Sequence, residues 1–496
     1  MKVARYFVAF CCILGTVRAA PAQEPLDTAL TRFYQARWWQ PVWIRAGSLD
    51  PQATALLDVV SRADAQGLAP ADYLTPQIDS LLHRDLVPEE AWLLDSLLTQ
   101  TFFSYARDVS LGRVEPSFVD SQWTRAPRQH DGVARLDQAL DAHRVGPALE
   151  ELAPPQPGYR ALRAAVQRYR ELAQQGDWPA PLARRLASEG YDTSTGLAPA
   201  VAQFQTMHGL PADGIVGPET RAQLNVSPAQ RAQQIALNLE RWRWAPRSLG
   251  ERYIIVNSAA FSLQLVEHEA VTLTMRAIVG RPDWPTPIVS STATDLVFRP
   301  VWRVPRVIAM QELLPIIQKN PGYLARAGFR VFGDSARAGV EVDASAVNWA
   351  AVTESTFTYQ LIQEPGPENP LGGVKLAFWT PFSVFIHDTP ARPLFSERWR
   401  TFSHGCVRVE GAAALAARLL PDWPDDSIRS AMTTGRQRWV RLPESIPVHI
   451  VYWTAWAADD GLIAFTGDPY GWDEELARAL QARAVQRVTM KGESVP

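Results

Sequence analysis

Residues 386–410 read IHDTPARPLFSERWRTFSHGCVRVE, which places two histidines within nineteen residues of a cysteine. A neighbouring imidazole activates a thiol by taking its proton or by pairing with the thiolate, which lowers the thiol pKa. Cys406 follows Gly405, whose permissive backbone lets successive N–H groups point one way, as an oxyanion site requires. The stretch therefore predicts a cysteine nucleophile, with His387 or His404 as its base.

Zinc binding is the alternative for the same side chains, since His387, His404 and Cys406 are all acceptable ligands. Residues 388–390, Asp-Thr-Pro, follow the first histidine and predict a turn instead of a fourth ligand. We therefore favour nucleophilic catalysis over a metal site.

Around this stretch the hydrophobic pattern has a period of two, which predicts β-strands. The clearest of them lie at residues 253–257, 261–266, 273–279, 384–386 and 448–452. Together they predict a mainly β catalytic domain over residues 251–457. The strand pattern is interrupted over residues 304–367, and an insertion of that size beside a catalytic motif predicts a lid.

The rest of the chain is predicted to be helical, so the fold class is α+β with several domains. A helix from about Pro88 to Gly112 shows one apolar face, formed by Leu94, Leu98, Phe102, Tyr105 and Val109. The predicted units are a helical domain at 23–185, a small module at 186–225, a linker helix at 226–250 and a C-terminal extension at 458–496.

Residues 1–22 predict a cleaved secretory signal peptide, with a basic start, a short apolar run and small residues before the cut. The apolar run is too short to span a bilayer. Cleavage removes Cys11 and Cys12 and leaves Cys406 as the one thiol. We therefore expect an exported, periplasmic protein without a lipid anchor and without an integral membrane segment after cleavage.

Composition excludes some partners. The 496 residues are 47% hydrophobic and 20% charged, which supports packed cores over a disordered chain. The formal net charge is −3, and no basic stretch stands out. A nucleic-acid partner is therefore not expected.

Residues 200–220 read AVAQFQTMHGLPADGIVGPET. This phrase closely resembles the peptidoglycan-binding domain type 1, a three-helix wall-binding module. The resemblance implies that residues 186–225 bind peptidoglycan without contributing to bond making, so that deleting them leaves turnover of small soluble substrates intact.

Residues 386–410 resemble the signature of the L,D-transpeptidase catalytic domain, in which a histidine ends a strand and a Ser-His-Gly-Cys turn precedes an arginine. Further segments are similar to the long, multidomain Gram-negative members of that family, namely Asn257 and residues 112–116, 285–287, 320–323, 359–367 and 371–375. The similarity covers most of the chain after the signal peptide.

The resemblance implies that Cys406 is the nucleophile and His387 its general base. A backbone carbonyl is expected to orient the His387 ring, with the Asp388 carboxylate as the alternative. His404, Gly405 and Cys406 are expected to donate backbone N–H groups to the oxyanion.

Substrate-binding roles are expected for Arg408, Asp388, Tyr359 and Trp379. Orientation of the cysteine turn is the alternative for Arg408, and packing explains Tyr359 and Trp379 equally well. The implied reaction acylates the cysteine with a peptidoglycan stem peptide, releases D-alanine, and passes the acyl group to an amine, without metal or cofactor. A diaminopimelate amine gives a 3-3 cross-link. The acceptor stays open, because a free D-amino acid, a protein or water (an L,D-carboxypeptidase) fits the same first step. A non-catalytic wall-binding scaffold is the remaining alternative.

Overall fold

The structure, a computed structural model, describes residues 25–45, 47–123, 130–333 and 339–492. Side chains are described as far as residue 483. The predicted signal peptide with its two cysteines lies outside these ranges. No helix within them combines the length and the apolar character that a bilayer crossing requires.

The chain divides into two compact units. Unit 1 spans the described parts of residues 1–60, 73–111 and 127–152, and unit 2 spans those of 61–72, 112–126 and 153–496. Residues 153–185 thus fold with the second unit, whereas the sequence grouped them with the helical domain.

Unit 1 is mainly helical. Its elements are α1 (Leu26–Ala36), β1 (Ile44–Arg45), β2 (Ser48–Leu49), α2 (Pro51–Ser61), α3 (Pro76–Leu82), α4 (Pro88–Leu111), α5 (Gly132–Asp141) and α6 (Val145–Glu150). The predicted helix from Pro88 is confirmed as α4, and all five residues of its predicted apolar face are buried. Gly112 follows it with a φ of +85°, a conformation in which glycine readily ends a helix.

Unit 2 begins its helical part with α7 (Pro157–Gln174) and ends it with α11 (Pro228–Trp244). Between them lie three short helices, α8 (Leu182–Glu189), α9 (Leu197–Met207) and α10 (Pro218–Leu224). The predicted three-helix module is therefore confirmed. Its core contains Leu186, Tyr191, Val201, Phe204 and Leu224, and Leu462 from much later in the chain packs against it.

The sheet of unit 2 forms its second half. Its strands are β3 (Arg252–Asn257), β4 (Ser262–Glu267), β5 (Ala270–Gly280), β6 (Val289–Phe298), β11 (Val374–Phe378), β12 (Ile386–His387), β13 (Thr401–Ser403), β14 (Val407–Val409) and β15 (Arg438–Val451). The order is β13-β5-β14-β12-β11-β6-β15-β3-β4, and β4 also pairs with β5. That last pairing closes the sheet on itself. Two helices, α15 (Ala412–Leu419) and α16 (Asp425–Thr433), pack on its apolar core.

The predicted insertion is a small subdomain with its own core. It contains β7 (Trp302–Arg303), α12 (Arg306–Ile308), a π-helical turn (Ala309–Leu313), α13 (Leu314–Lys319), α14 (Tyr323–Arg326), β8 (Phe329–Phe332), β9 (Glu341–Val342) and β10 (Gln360–Gln363). The four strands form a separate sheet in the order β7-β10-β8-β9. Trp349, Phe357 and Leu361 are buried beneath it. These elements confirm a mainly β domain that carries an insertion.

The chain after the sheet forms a hairpin, β16 (Ala455–Ala457) with β17 (Ile463–Phe465), and then α17 (Trp472–Gly492). The His208 ring stacks on Phe204, with 3.8 Å between ring centroids, and on Phe465, at 5.5 Å. The three-helix module is therefore packed on the hairpin, and the two share a core.

Deletion of residues 186–225 is accordingly expected to lower the melting temperature of the full chain by several degrees. The deletion uncovers Phe465, which is buried, and exposing one such side chain costs roughly 2 kcal/mol. Differential scanning calorimetry measures the change. Ile215→Ser, on a side chain of the same module that is 67% exposed, is the control and should leave the melting temperature unchanged. An unaltered melting temperature in the deletion variant would show that the contact with the hairpin does not stabilise the chain.

Candidate active site

The sheet register brings the cysteine turn and the histidine strand together. β12 and β14 run parallel, with Ile386 opposite Val407 and His387 opposite Arg408. Ile386 and Val407 point into the apolar core. Because side chains alternate along a strand, His387 and Arg408 lie on the other face, with Cys406 immediately before β14.

His387 is held as a neutral imidazole. Its Nδ1 donates to the backbone carbonyl of Asp388 at 2.6 Å, which leaves Nε2 as a proton acceptor. Burial, together with the positive charges of Arg408 and Lys375, lowers the pKa of His387 to about 3. The predicted orienting group for this ring is a backbone carbonyl, and the Asp388 carbonyl is that acceptor.

The Asp388 side chain is held by two contacts within the protein. Its buried carboxylate accepts a hydrogen bond from the Gly373 N–H at 2.8 Å and pairs with Arg392 at 2.7 Å. These bonds fix the loop before β11 to the end of β12. The Asp388 carboxylate is thus engaged within the protein, and its contact with substrate stays a prediction.

Cys406 is a thiol in the resting site. Burial raises its pKa above the usual value, against the opposing effects of the Phe385 N–H and of the charges on Arg408 and Lys375. The sequence-based expectation of a depressed thiol pKa is therefore wrong for this state. A neutral thiol beside a neutral imidazole transfers its proton as the sulfur attacks, instead of resting as an ion pair.

The turn before Cys406 is shaped by Gly405 and fixed by two hydroxyls. Gly405 has a φ of +96°, its N–H donates to Ser403 Oγ at 3.2 Å, and its carbonyl accepts from Thr286 Oγ1 at 2.9 Å. The Gly405 N–H, one of the three predicted oxyanion donors, is thus engaged by the Ser403 hydroxyl, and its role towards an oxyanion stays a prediction. The N–H groups of His404 and Cys406 donate to no acceptor within the described part of the chain.

Thr286 is a site residue that the sequence did not reveal. Its hydroxyl accepts from the Gly280 N–H at 2.8 Å while it donates to Gly405, and its side chain is fully buried. The sequence signals were the family resemblance of residues 285–287 and the two flanking prolines, which predict a rigid turn without a role for the hydroxyl.

Thr286→Val is expected to destabilise the chain by about 2 kcal/mol, because it leaves the Gly280 N–H and the Gly405 carbonyl unpaired in buried surroundings. Acylation of Cys406 should slow about tenfold as the turn loses its anchor. Urea unfolding and single-turnover acylation measure the two effects. Thr286→Ser keeps the hydroxyl and is the control. A valine variant with wild-type rate and stability would show that the hydroxyl does not position the turn.

The His404 ring is turned towards the insertion. Its Nε2 donates to Glu312 Oε1 at 2.5 Å, and Arg281 reaches the same carboxylate oxygen at 3.2 Å. The ring also meets the edge of Trp284, at 4.9 Å between centroids. Although burial of Glu312 raises its carboxyl pKa, these two partners outweigh that effect and lower it. His404 therefore connects the cysteine turn to the π-helical turn of the insertion.

A cavity of about 520 Å³ opens in front of these groups. Its lining includes the predicted site residues His387, His404, Gly405, Cys406 and Arg408, with Trp284, Trp302, Pro305, Ile308 and Phe382 as apolar walls. A larger depression of about 780 Å³ lies around Trp423 and has neither histidine nor cysteine in its lining. The smaller cavity is therefore the candidate active site.

Two predicted groove residues lie outside this lining. Tyr359 packs inside the insertion, against Trp349 at 5.2 Å and Phe357 at 6.0 Å between ring centroids. Trp379 is 72% exposed on the surface. Tyr359 thus packs as its alternative describes, and substrate contact by either residue stays a prediction. The described residues contain no group of three or more His, Cys, Asp or Glu side chains arranged to hold a metal ion.

Comparisons with known proteins give three sequence-family matches and one curated relative. The sequence family described as "Scaffold domain" matches residues 28–166, and that described as "Putative peptidoglycan binding domain" matches residues 182–224. The family described as "L,D-transpeptidase catalytic domain" matches residues 251–440. A curated "Putative L,D-transpeptidase" of Haemophilus influenzae is 29% identical over 246 residues, 49% of each protein. The chain thus spans about half the length of that relative.

Solved structures with similarity to the chain include two L,D-transpeptidases. One, from Mycobacterium smegmatis, is 17% identical with a TM-score of 0.19, over 40% of this chain and 58% of that one. The other, from Xylanimonas cellulosilytica, is 16% identical with a TM-score of 0.18, over 60% of this chain and 99% of that one. From the family matches, the chain carries an L,D-transpeptidase catalytic domain together with a Scaffold domain and a peptidoglycan-binding domain.

Proposed function

We propose that the protein is a periplasmic L,D-transpeptidase that forms an acyl-enzyme on Cys406 with a peptidoglycan tetrapeptide stem and transfers it to an amine. One observation carries the proposal. Cys406, the neutral His387 and the unengaged N–H groups of the cysteine turn meet at the wall of a single cavity. A nucleophile, a base and an oxyanion site are the three parts that acyl transfer requires.

In the first half-reaction, His387 Nε2 accepts the thiol proton as Cys406 Sγ attacks the carbonyl of the third stem residue. The negative charge that develops on the carbonyl oxygen is stabilised by the N–H groups of His404 and Cys406. The C–N bond to D-alanine then breaks, and the His387 imidazolium returns its proton to the leaving amine. A thioester and free D-alanine result.

In the second half-reaction, an acceptor amine attacks the thioester and gives a proton to His387. The thiolate leaves as a new amide forms, and the imidazolium then reprotonates the sulfur. With a diaminopimelate amine as acceptor, the product is a 3-3 cross-link. The apolar cavity walls supplied by the insertion favour this outcome, because they limit access of water to the thioester.

Arg408 completes the proposed site. Its side chain lines the cavity beside Cys406, and its Nε has no hydrogen-bond partner among the described residues. A guanidinium in that position suits a carboxylate of the stem peptide. We propose that Arg408 orients the donor stem, while the three-helix module holds the enzyme on the wall.

Mass spectrometry of the products formed from purified disaccharide-tetrapeptide tests the proposal. The expected product is a dimer with the mass of two substrates less one D-alanine, and a thioester on the Cys406 peptide should be trapped at short times. Cys406→Ala provides the blank. Tripeptide without dimer would identify a carboxypeptidase that uses water. A folded enzyme that releases no D-alanine would reduce the protein to a wall-binding scaffold.

A further inference from the structure

A row of three side chains crosses the sheet behind the nucleophile. β11 runs antiparallel to β12 with Lys375 opposite His387, and β12 runs parallel to β14 with His387 opposite Arg408. Residues in register on neighbouring strands share a face, so the imidazole lies between an ammonium and a guanidinium. Their neighbours Leu376, Ile386 and Val407 form the matching row on the core face.

We propose that Lys375 is a positioning residue of the catalytic site, which keeps His387 unprotonated as a base and stabilises negative charge on Cys406 as the thiol ionises. The inference rests on the proposed function for the roles of Cys406 and His387. It adds a residue that is absent from the cavity lining and acts through its charge.

The Lys375 ammonium is fixed close to the nucleophile by an aromatic ring. Its Nζ lies 4.3 Å from the centroid of the Phe385 ring, and the Phe385 N–H faces the Cys406 sulfur. Cation–π contact holds the ammonium in place without neutralising it. Within the described residues Lys375 forms no ion pair with a carboxylate.

The charges that face His387 from each neighbouring element all act in one direction. Lys375 comes from β11 and Arg408 from β14, while the Asp388 carboxylate is turned to Arg392 and the Gly373 N–H. Both cations disfavour the imidazolium and favour the thiolate. Burial lowers the pKa of Lys375 itself, and negative charge on Cys406 opposes that shift, so ionisation of the thiol reinforces the ammonium.

The test is the pH dependence of Cys406 alkylation by iodoacetamide in the full chain, followed by mass spectrometry of the Cys406 peptide. In Lys375→Met the pH midpoint of Cys406 alkylation should rise by about one unit, the effect expected when one neighbouring positive charge is removed. Lys375→Arg keeps the charge and should return the midpoint to the wild-type value. Lys319→Met removes an exposed lysine from α13 and serves as the matched control.

A second readout is the acid limb of kcat/KM for D-alanine release, which should move to higher pH in Lys375→Met because His387 becomes easier to protonate. Lys375→Gln replaces the methionine variant if the latter melts early. An unmoved alkylation midpoint in a folded variant, or one moved to lower pH, overturns the inference. Because alkylation needs no turnover, a shifted midpoint in a protein that releases no D-alanine keeps the role of Lys375 and rejects the transpeptidase proposal.

Discussion

Replacing His387 by alanine is expected to slow acylation of Cys406 by ~10²- to 10⁴-fold, the range typical of a lost general base. The Cys406 thiol is partly buried, which raises its pKa, and it depends on His387 Nε2 to accept its proton during attack. Single-turnover release of D-alanine from a tetrapeptide stem measures the loss.

The pH dependence of the acylation rate should differ between the wild type and His387→Ala. In the wild type the base is neutral above its pKa of about 3, and the thiol stays protonated up to its raised pKa, so the rate should be flat between these limits. In His387→Ala only spontaneously ionised sulfur reacts, so the rate should climb tenfold per pH unit below the thiol pKa.

His404→Ala is the matched control, because its ring is bonded to Glu312 and does not serve as the base. It should retain the flat profile at a reduced rate, since only the turn is loosened. If the flat profile survived in His387→Ala and disappeared in His404→Ala, the two histidines would have to exchange roles.

Gly280→Ala is expected to destabilise the chain by about 3 kcal/mol or more, as overpacking against rigid backbone does. A Cβ on Gly280 would overlap the Trp284 carbonyl and lie 2.7 Å from the Thr286 N. Neither atom belongs to a flexible side chain, so the loop that fixes the cysteine turn must move. Chemical denaturation followed by tryptophan fluorescence measures the change, and acylation should fall with it.

Gly366→Ala is the control for this substitution. An added Cβ there meets nothing closer than the Glu364 carbonyl at 3.9 Å, and its backbone is not left-handed. It should unfold at the wild-type denaturant concentration. Equal stability of the two alanine variants would show that the loop after β5 adapts without cost and does not brace the site.

Periodicity and short motifs predicted those parts of the fold that depend on local sequence. The apolar face of α4 follows from helical spacing, and the three helices of the small module follow from Gly214 and Pro218 at its turns. The contact of that module with Phe465 could not be predicted, because the two segments are far apart in the chain and neither sequence pattern indicates a distant partner.

The site shows the same division. The motif supplied the residue types at Cys406 and His387, yet it could not supply the direction of a side chain. Asp388 turns its carboxylate towards Gly373, and the Gly405 N–H is taken by a serine hydroxyl. Both bonds depend on local backbone conformation, namely the pairing of β11 with β12 for Asp388 and the turn after β13 for Gly405. The raised thiol pKa likewise reflects burial, which no spacing in the sequence reveals.

The hydrogen bond between His404 and Glu312 couples the position of the insertion to the occupancy of the cavity. His404 contributes a backbone N–H to the proposed oxyanion site, and its ring nitrogen bonds the insertion, so one residue contacts both. If an acyl group in the cavity strengthens the bond to the insertion, the bound insertion strengthens binding of that group. The two effects are equal in size, because coupling between two sites is reciprocal.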